Sequence, residues 1–327
     1  MTEEHGTYAA MVVRSPGEIE LTTLGRSPLA DNAVRVAVEA VGVNPVDAGN
    51  RADGAWAGLA VPYVVGYEFA GRVLAVGRAV SDLEPGDEVW GLLPVRGTRW
   101  GAYAEEVVAD AGFVAHRPPA LSALEAAALP LAGGTALQIL ERLEPRAGEW
   151  MLVHGAGGGV GHLLVQLARD LGVQIAAPAS AARRMFLESL GVVAVVDRAQ
   201  PEPLRAARER VGADFPLVAD LVGGGLLAAS LPLMAEGGRA ASITDLSGDL
   251  DEALDRNITV HGVLLRPGQQ RLESLRRLVD RGVLRPVLDE VLPLTEAVRA
   301  LRRVESGSGQ GKVVLRVPSA TRSSRGA

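Results

Sequence analysis

The stretch Met151–Leu171, MLVHGAGGGVGHLLVQLARDL, restricts what this chain can fold into more than any other. Met151, Leu152 and Val153 form a short apolar run before a glycine, as a parallel strand buried on both faces requires. Val160, Leu163, Leu164, Leu167 and Leu171 fall at i, i+3, i+4, i+7 and i+11, an apolar stripe that lays a helix on a sheet. Between strand and helix, Gly155, Gly157, Gly158, Gly159 and Gly161 surround Ala156. Without Cβ atoms in the way, N–H groups at the helix start can approach a pyrophosphate, and the helix dipole favours its charge. The turn Ala156, Gly157, Gly158, Gly159, Val160 and Gly161 is therefore a candidate dinucleotide cradle. In the G-x-G-x-x-G pattern Ala156 takes the first place, with Gly158 and Gly161 in the other two.

The chain on either side reads differently. Over residues 8–120 short β-like runs dominate: Val34, Val36 and Val38 alternate with Arg35, Ala37 and Glu39, predicting one face in a core and one in water. Gly71–Gly77 and Glu88–Leu93 are similar, the latter after the turn Pro85-Gly86-Asp87. These predict a mostly antiparallel β domain. From Ser122, which can cap a helix starting at Ala123, strand and helix signals alternate. Strands are expected at Val173–Ala177, Val192–Val196, Phe215–Leu221, Arg239–Ile243 and Thr259–Leu265. Helices are expected at Ala181–Leu190, Pro203–Val211 and Gly225–Met234. Parallel strands need crossover helices, so this is the pattern of a doubly wound sheet. The tail adds a helix around Leu272–Val279, a strand at Val287–Leu292, a helix at Ala297–Val304 capped by Thr295, and a strand at Lys312–Val317. That is too little for a third domain, so the tail is expected to complete the first. Pro318–Ala327 reads as disordered.

Composition narrows the function. Of 327 residues 48% are hydrophobic and 22% charged, with net charge -6, which leaves no basic footprint for nucleic acid or an anionic membrane. No run of about 18 apolar residues and no leader pattern occurs, so a cytoplasmic protein is expected. The chain has no cysteine, which removes disulfides, thiolate nucleophiles and cysteine-ligated metals. Lys312 is the single lysine among 33 basic residues, a bias with no mechanism attached at this level.

Several motifs in order carry a resemblance: VGVNPVD (Val41–Asp47), VVGYEFAGRV (Val64–Val73), EPGDEV (Glu84–Val89), AALPLAGGTA (Ala127–Ala136), HGAGGGVG (His154–Gly161), DLVGG (Asp220–Gly224) and GKVVL (Gly311–Leu315). Nearly end to end, the chain resembles the medium-chain dehydrogenase/reductase superfamily and, within it, the zinc-free quinone oxidoreductase branch. The resemblance implies an α/β protein: a GroES-like β-rich catalytic domain at 1–124 and 267–327, and a Rossmann domain with a doubly wound parallel sheet at 125–266. It also implies an active site in the cleft between them. Zinc-dependent relatives bind metal through cysteine, histidine and cysteine at places held here by Asn44, Tyr67 and Leu131, which are no closed set of zinc ligands. No metal site is expected. Reduction of a conjugated C=C–C=O or a quinone fits better than alcohol oxidation, because hydride adds to carbon while the conjugated oxygen takes the charge.

The expected cofactor is NADPH. Where an NAD-selective site places a carboxylate after its second strand, this chain has Ser180, with Arg183 and Arg184 just beyond, and these suit a 2′-phosphate. The alternative is that either arginine is a solvated first-turn charge. By resemblance Thr135, Val222, Val263 and Leu264 contact the cofactor, the last two along the nicotinamide ring, and Lys312 matches a lysine near the cofactor phosphates. The family's H-A-R-G-K is here Ser308-Gly309-Gln310-Gly311-Lys312, without the histidine and arginine.

For the chemistry, Asn44 is expected to orient the substrate or the nicotinamide amide, and Tyr67 to donate a hydrogen bond or proton to the acceptor oxygen. The competing reading has Asn44 satisfying local backbone before Pro45 and Tyr67 filling the emptied metal pocket. Asp47 and Glu68 read as structural. Trp56, Trp90 and Trp100 read as buried packing ahead of an aromatic substrate pocket, and His154 and His261 as histidines without a catalytic partner. Three functions follow: a reductase of a small-molecule enone or quinone; an enoyl-thioester reductase on a carrier-bound or polyketide intermediate; and a non-catalytic NADPH-binding protein, as with the lens crystallins of this branch. A homodimer is expected, formed through the edge strand Thr259–Leu265.

Overall fold

The computed structural model describes residues 6–318, so the expectation of a disordered tail falls, apart from Pro318, outside the described residues. The chain divides into two units. One comprises Met1–Leu131, Arg266–Asp280 and Leu288–Ala327; the other comprises Ala132–Leu265 and Arg281–Val287. The first division therefore falls at 131/132, against the expected 124/125, and Arg281–Val287 joins the second unit. No helix among the described residues is long and apolar enough to cross a membrane.

In the first unit, Thr7–Ser15 pairs antiparallel with Glu18–Gly25 and with Tyr63–Val64. A larger sheet runs in the order Leu288–Pro293, Lys312–Arg316, Ala33–Val43, Glu68–Val76, Glu88–Leu92, Val114–His116, and Glu106–Asp110 also pairs with Ala33–Val43. All pairs are antiparallel except Leu288–Pro293 with Lys312–Arg316. The tail thus completes this sheet. Val34, Val36 and Val38 are buried as their alternation predicts. The intervening Arg35 is not in water. It is also buried, donating to the Ser27 carbonyl at 2.5 Å and lying 3.6 Å from Glu106.

Two register relations position the site. Val313 lies opposite Val43, which brings Lys312 beside Asn44. Val41 lies opposite Phe69, which brings Glu68 across from Gly42. A Cβ at Gly42 would stand 2.3 Å from both Glu68 Oε1 and the Ala127 carbonyl oxygen, so glycine there is what lets the Glu68 carboxylate cross the strand. Ser122 caps Ala123–Ala127 as expected, accepting from the Glu125 N–H while the Glu125 carboxylate accepts from the Ser122 N–H. Thr295 caps no helix: it lies within a 3-10 turn, Leu294–Glu296, that precedes Ala297–Glu305.

The second unit carries six parallel strands in the order Ala194–Asp197, Gln174–Ala179, Trp150–His154, Phe215–Asp220, Met234–Ser242, Thr259–Gly262. Numbered within the unit this is 3-2-1-4-5-6, the Rossmann order. The chain leaves the first strand in opposite directions, so a crevice opens at the carboxyl ends of Trp150–His154 and Phe215–Asp220. Leu152, Ala176, Val218 and Ala240 form the dry centre. The helix expected at Gly225–Met234 shortens to Leu226–Ser230 and a 3-10 turn, Leu231–Leu233, because Pro232 lacks the N–H that would continue it. The fifth strand consequently starts early, at Met234. Thr259–Gly262 pairs on one side only among the described residues.

Candidate functional site

The glycine turn sits at that crevice. Gly155 adopts φ +78°, and the Gly158 N–H closes the turn on the Gly155 carbonyl at 3.0 Å. The helix Gly161–Asp170 starts so close to the turn that a Cβ at Gly161 would stand 2.2 Å from Gly155 O and 2.6 Å from Ala156 Cα. At Gly157 and Gly158 the nearest atoms to such a Cβ are 3.4 Å away. Gly161 is thus required by packing of the turn on its own helix, whereas a Cβ at Gly157 or Gly158 would meet only ordinary contacts, so what the missing side chains there provide is room for a ligand. This is a cradle that fits a dinucleotide pyrophosphate, with Ala156–Gly161 as its wall.

Neighbouring side chains hold the cradle in shape. His162 Nε2 accepts from the Val287 N–H at 3.1 Å, so the ring proton is on Nδ1 and is donated to the Gly158 carbonyl at 2.9 Å. Sequence reasoning passed over His162; the available signal was a polar residue directly after the last glycine. Asp220, opposite His154, accepts from the N–H groups of Val222 and Gly223 at 2.9 and 3.0 Å. This turn leaves Val222 exposed, with Cγ2 2.9 Å from where a Cβ on Gly155 would be. His154 does have a partner, Ser230 Oγ at 2.7 Å, but Ser230 is fully buried and donates to the Leu226 carbonyl. Burial, against the opposing Asp220 charge, holds the His154 pKa below its ordinary value, and with Ser230 sealed and its proton given to Leu226 the pair serves structure.

At the end of Gln174–Ala179, Ser180 receives the Arg183 N–H at its carbonyl, 2.9 Å. The two arginines then part. Arg183 lies beside the glycine turn, its Cδ 3.4 Å from the Cβ position of Gly157, whereas Arg184 reaches along its helix to Glu188 at 3.5 Å. The solvated-charge reading fits Arg184 alone. Asp197, opposite Ala179 on the next strand, turns Oδ1 to the Ala199 N–H at 3.0 Å. On the other half of the sheet, Val263 is buried and donates to the Ser242 carbonyl, Leu264 is 52% exposed, and Gln138 Nε2 donates to the Leu264 carbonyl at 3.0 Å. Thr135, also buried, lies on the same helix as Gln138, Pro130–Leu143. The residues present fit a nicotinamide dinucleotide.

The first unit gathers a second polar cluster. Asn44 stands between the strand Ala33–Val43 and the helix Pro45–Ala52, in the extended conformation (φ -134°, ψ 155°) that a residue before proline adopts. Its N–H donates to Asp47 Oδ2 at 2.8 Å, and its Nδ2 to Glu68 Oε1 at 2.8 Å. Lys312 Nζ donates to Glu68 Oε1 at 2.7 Å, to the Val43 carbonyl at 3.1 Å and to Asn44 Oδ1. Glu68 Oε2 accepts the Leu131 N–H at 2.7 Å. All three ammonium donors are therefore taken, in a pair only 2% and 0% exposed. This corrects the expectation for Lys312: its charge is consumed inside the first unit and none of its donors is left for a phosphate.

Tyr67 is corrected as well. Its side chain is fully buried in the core with Tyr63 and Tyr103, and its hydroxyl accepts from Asn50 Nδ2. Burial, then the Asp47 charge, pushes its pKa further up from 10. A proton that well held, in a hydroxyl without access, suits the pocket-filling reading. Asp47 is equally buried; desolvation raises its pKa from 3.8 to about 7, against the Asn44 N–H, Lys312 and the Tyr103 hydroxyl at 3.1 Å. Its Oδ1 finds no partner among the described residues.

Of the tryptophans only Trp90 is buried; Trp56 and Trp100 are exposed, under the guanidiniums of Arg96 and Arg99 at 4.9 and 4.8 Å from the ring centres. Among the described residues no group of three His, Cys, Asp or Glu is placed to hold a metal. Asn44, Tyr67 and Leu131 offer an amide already bonded twice, a sealed phenol and an alkyl chain, a set that does not fit zinc.

Residues 30–119 match the alcohol dehydrogenase GroES-like domain family, and residues 190–315 the zinc-binding dehydrogenase family. Polyketide synthase GfsB of Streptomyces halstedii is 34% identical over 332 residues, covering 95% of this chain and 6% of that protein, so the chain spans a small part of that relative. Three solved structures are similar over nearly the whole length. An NAD-dependent alcohol dehydrogenase is 31% identical (TM-score 0.88, 95% of this chain and 100% of that one). The quinone oxidoreductase from Coxiella burnetii is 29% identical (0.87, 96% and 100%). CurK enoyl reductase is 27% identical (0.85, 95% and 99%).

Proposed function

Because this chain belongs to the medium-chain dehydrogenase/reductase superfamily, in its zinc-free quinone oxidoreductase-like branch, we propose that it is an NADPH-dependent reductase of conjugated carbonyl compounds, enones or quinones. Oxidoreductase chemistry with a nicotinamide cofactor is the family's; NADPH and the acceptor class are the proposal. Two observations carry it: in the second unit a glycine cradle flanked by Arg183, and in the first unit Asn44, Tyr67 and Leu131 at the places where zinc-dependent relatives hold their metal, with the Asn44 amide bonded to Glu68 and Lys312. When bound, a reduced nicotinamide would supply hydride. Ala156–Gly161 would hold its pyrophosphate, Ser180 and Arg183 its 2′-phosphate, and Thr135, Val222, Val263 and Leu264 its nicotinamide half.

With an amide, a phenol and an alkyl chain where zinc-dependent relatives carry their ligands, an acceptor that has its own electron sink fits this site better than a simple carbonyl. In a conjugated acceptor a C–H bond forms at the β-carbon, the π pair shifts, and the oxygen takes the charge. Asn44 supplies a neutral donor for that oxygen. Tyr67, sealed in the core, is not placed to give the proton that completes the product, which leaves water as its source. Purified protein should oxidise NADPH with cyclohexenone or benzoquinone; an inert panel would sink the reading.

A second reading, reduction of an enoyl thioester, is favoured by the likeness to a polyketide synthase and to CurK enoyl reductase. Crotonyl-coenzyme A turned over well, with quinones untouched, selects it. The same proposal includes a homodimer across the free edge of Thr259–Gly262, which light scattering tests.

A further inference from the structure

The chain uses arginine everywhere except at Lys312, and that exception falls where a guanidinium does not suit. Three acceptors, Val43 O, Asn44 Oδ1 and Glu68 Oε1, converge on one nitrogen in a buried spot. An ammonium offers three donors from a single compact atom, while a guanidinium spreads five over a planar fork. The glycine at 42 makes the same point from the other side, since any Cβ there would collide with the Glu68 carboxylate.

These bonds fix the Asn44 amide. Lysine only donates, so the atom facing Nζ is Oδ1; both Glu68 oxygens accept, Oε1 from Lys312 and Oε2 from the Leu131 N–H, so the atom 2.8 Å from Oε1 is Nδ2. The usual two-fold ambiguity of an amide is removed by its partners. One Nδ2 hydrogen is spent on Glu68, and the other has no acceptor among the described residues.

We propose that Lys312 and Glu68 are positioning residues that lock the Asn44 amide with its second Nδ2 hydrogen presented to the oxygen of a conjugated carbonyl acceptor. This rests on the reductase reading above. The lysine thereby holds a neutral donor in one orientation without touching the substrate.

The test is a cycle of variants. Glu68→Gln with Lys312→Met removes both charges together, so neither is stranded, and the new amide oxygen can still accept from Leu131. Against wild type, this pair should leave the NADPH dissociation constant within about twofold while lowering kcat on cyclohexenone by about 100-fold. Asn44→Ala should lose about the same factor, and the triple variant no more than either. A paired variant with wild-type kcat, or losses that multiply in the triple, overturns the proposal. Should the paired variant not fold, wild-type protein labelled with nitrogen-15 at asparagine decides: the Asn44 side-chain amide, assigned by its absence in Asn44→Ala, should be rigid, with one proton shifted by Glu68. A rapidly averaging amide overturns the proposal. Wild-type protein that binds NADPH and reduces no enone, quinone or enoyl thioester overturns both this and the reading beneath it, whereas normal wild-type turnover with an indifferent paired variant overturns the positioning role alone.

Discussion

On the proposed NADPH reading, replacing Arg183 with alanine should lower activity with NADPH and spare activity with NADH, and replacing Arg184 should do neither. The two are neighbours on one short helical segment, but only Arg183 packs against the glycine turn, its Cδ 3.4 Å from the Cβ position of Gly157. Arg184 is drawn 3.5 Å from Glu188, both side chains roughly half exposed (41% and 50%). A charge-assisted hydrogen bond from Arg183 to a 2′-phosphate contributes about 1.5–3 kcal/mol, which corresponds to a loss of roughly 10- to 100-fold in kcat/KM for NADPH. NADH lacks that phosphate, so its kcat/KM should stay within about threefold. The exposed Arg184–Glu188 pair is worth about 0.5 kcal/mol at most, so Arg184→Ala should change neither cofactor and barely alter the melting temperature. Steady-state kinetics with both cofactors, at low and at moderate salt, provide the assay, and the Arg183 contribution should shrink with salt. Equal losses for NADPH and NADH in Arg183→Ala would refute the reasoning, because Arg183 would then serve the pyrophosphate or the turn. So would a cofactor-selective loss in Arg184→Ala.

Gly161→Ala forces a methyl to within 2.2 Å of the Gly155 carbonyl oxygen and 2.6 Å of Ala156 Cα, atoms of the same turn. It should lower stability by about 1–3 kcal/mol and abolish NADPH binding, whereas Gly157→Ala should melt normally; a Gly161→Ala protein with wild-type cofactor fluorescence titration refutes the packing argument. Tyr67→Phe should keep kcat within about threefold while destabilising the fold by about 1–3 kcal/mol, since Asn50 loses its partner; a large fall in kcat at unchanged stability would restore an acid role to Tyr67. Asp47, with its pKa raised from 3.8 to about 7, keeps its proton in the folded state between about pH 4 and 7 where the unfolded chain has lost it. The contribution of Asp47 to stability therefore falls as pH rises through that window, by an amount on the order of a few kcal/mol, and changes no further above it. Asp47→Asn has no such proton, so its melting temperature should gain on wild type between pH 5 and pH 8; a difference independent of pH would show that Asp47 ionises normally.

Local signals carried most of the fold. The strand, glycine turn and helix at Met151–Leu171 were legible because periodicity and the absence of Cβ atoms act within a few residues, and the alternation after Ser122 left little besides a doubly wound sheet. The strand order 3-2-1-4-5-6 confirms it. Element ends were less legible where a single residue intervened, as Pro232 did. Single-residue roles were decided by packing: Trp56 and Trp100 read as core and lie in solvent, because nothing local tells a buried indole from one covered by an arginine.

The glycine cradle is thus a property of the sequence itself, written in five glycines among seven consecutive residues. Which arginine stands beside it was not, because Arg183 and Arg184 differ only in the direction that a 3-10 turn, Ala181–Arg183, gives their side chains. The cluster in the first unit belongs wholly to tertiary structure. Asn44 and Lys312 are 268 residues apart, and their meeting depends on the register of a strand from each end of the chain. Sequence supplied an ammonium, a carboxylate and an amide; only strand pairing put them within hydrogen-bond reach, and only burial made the ammonium a fixed part of the site.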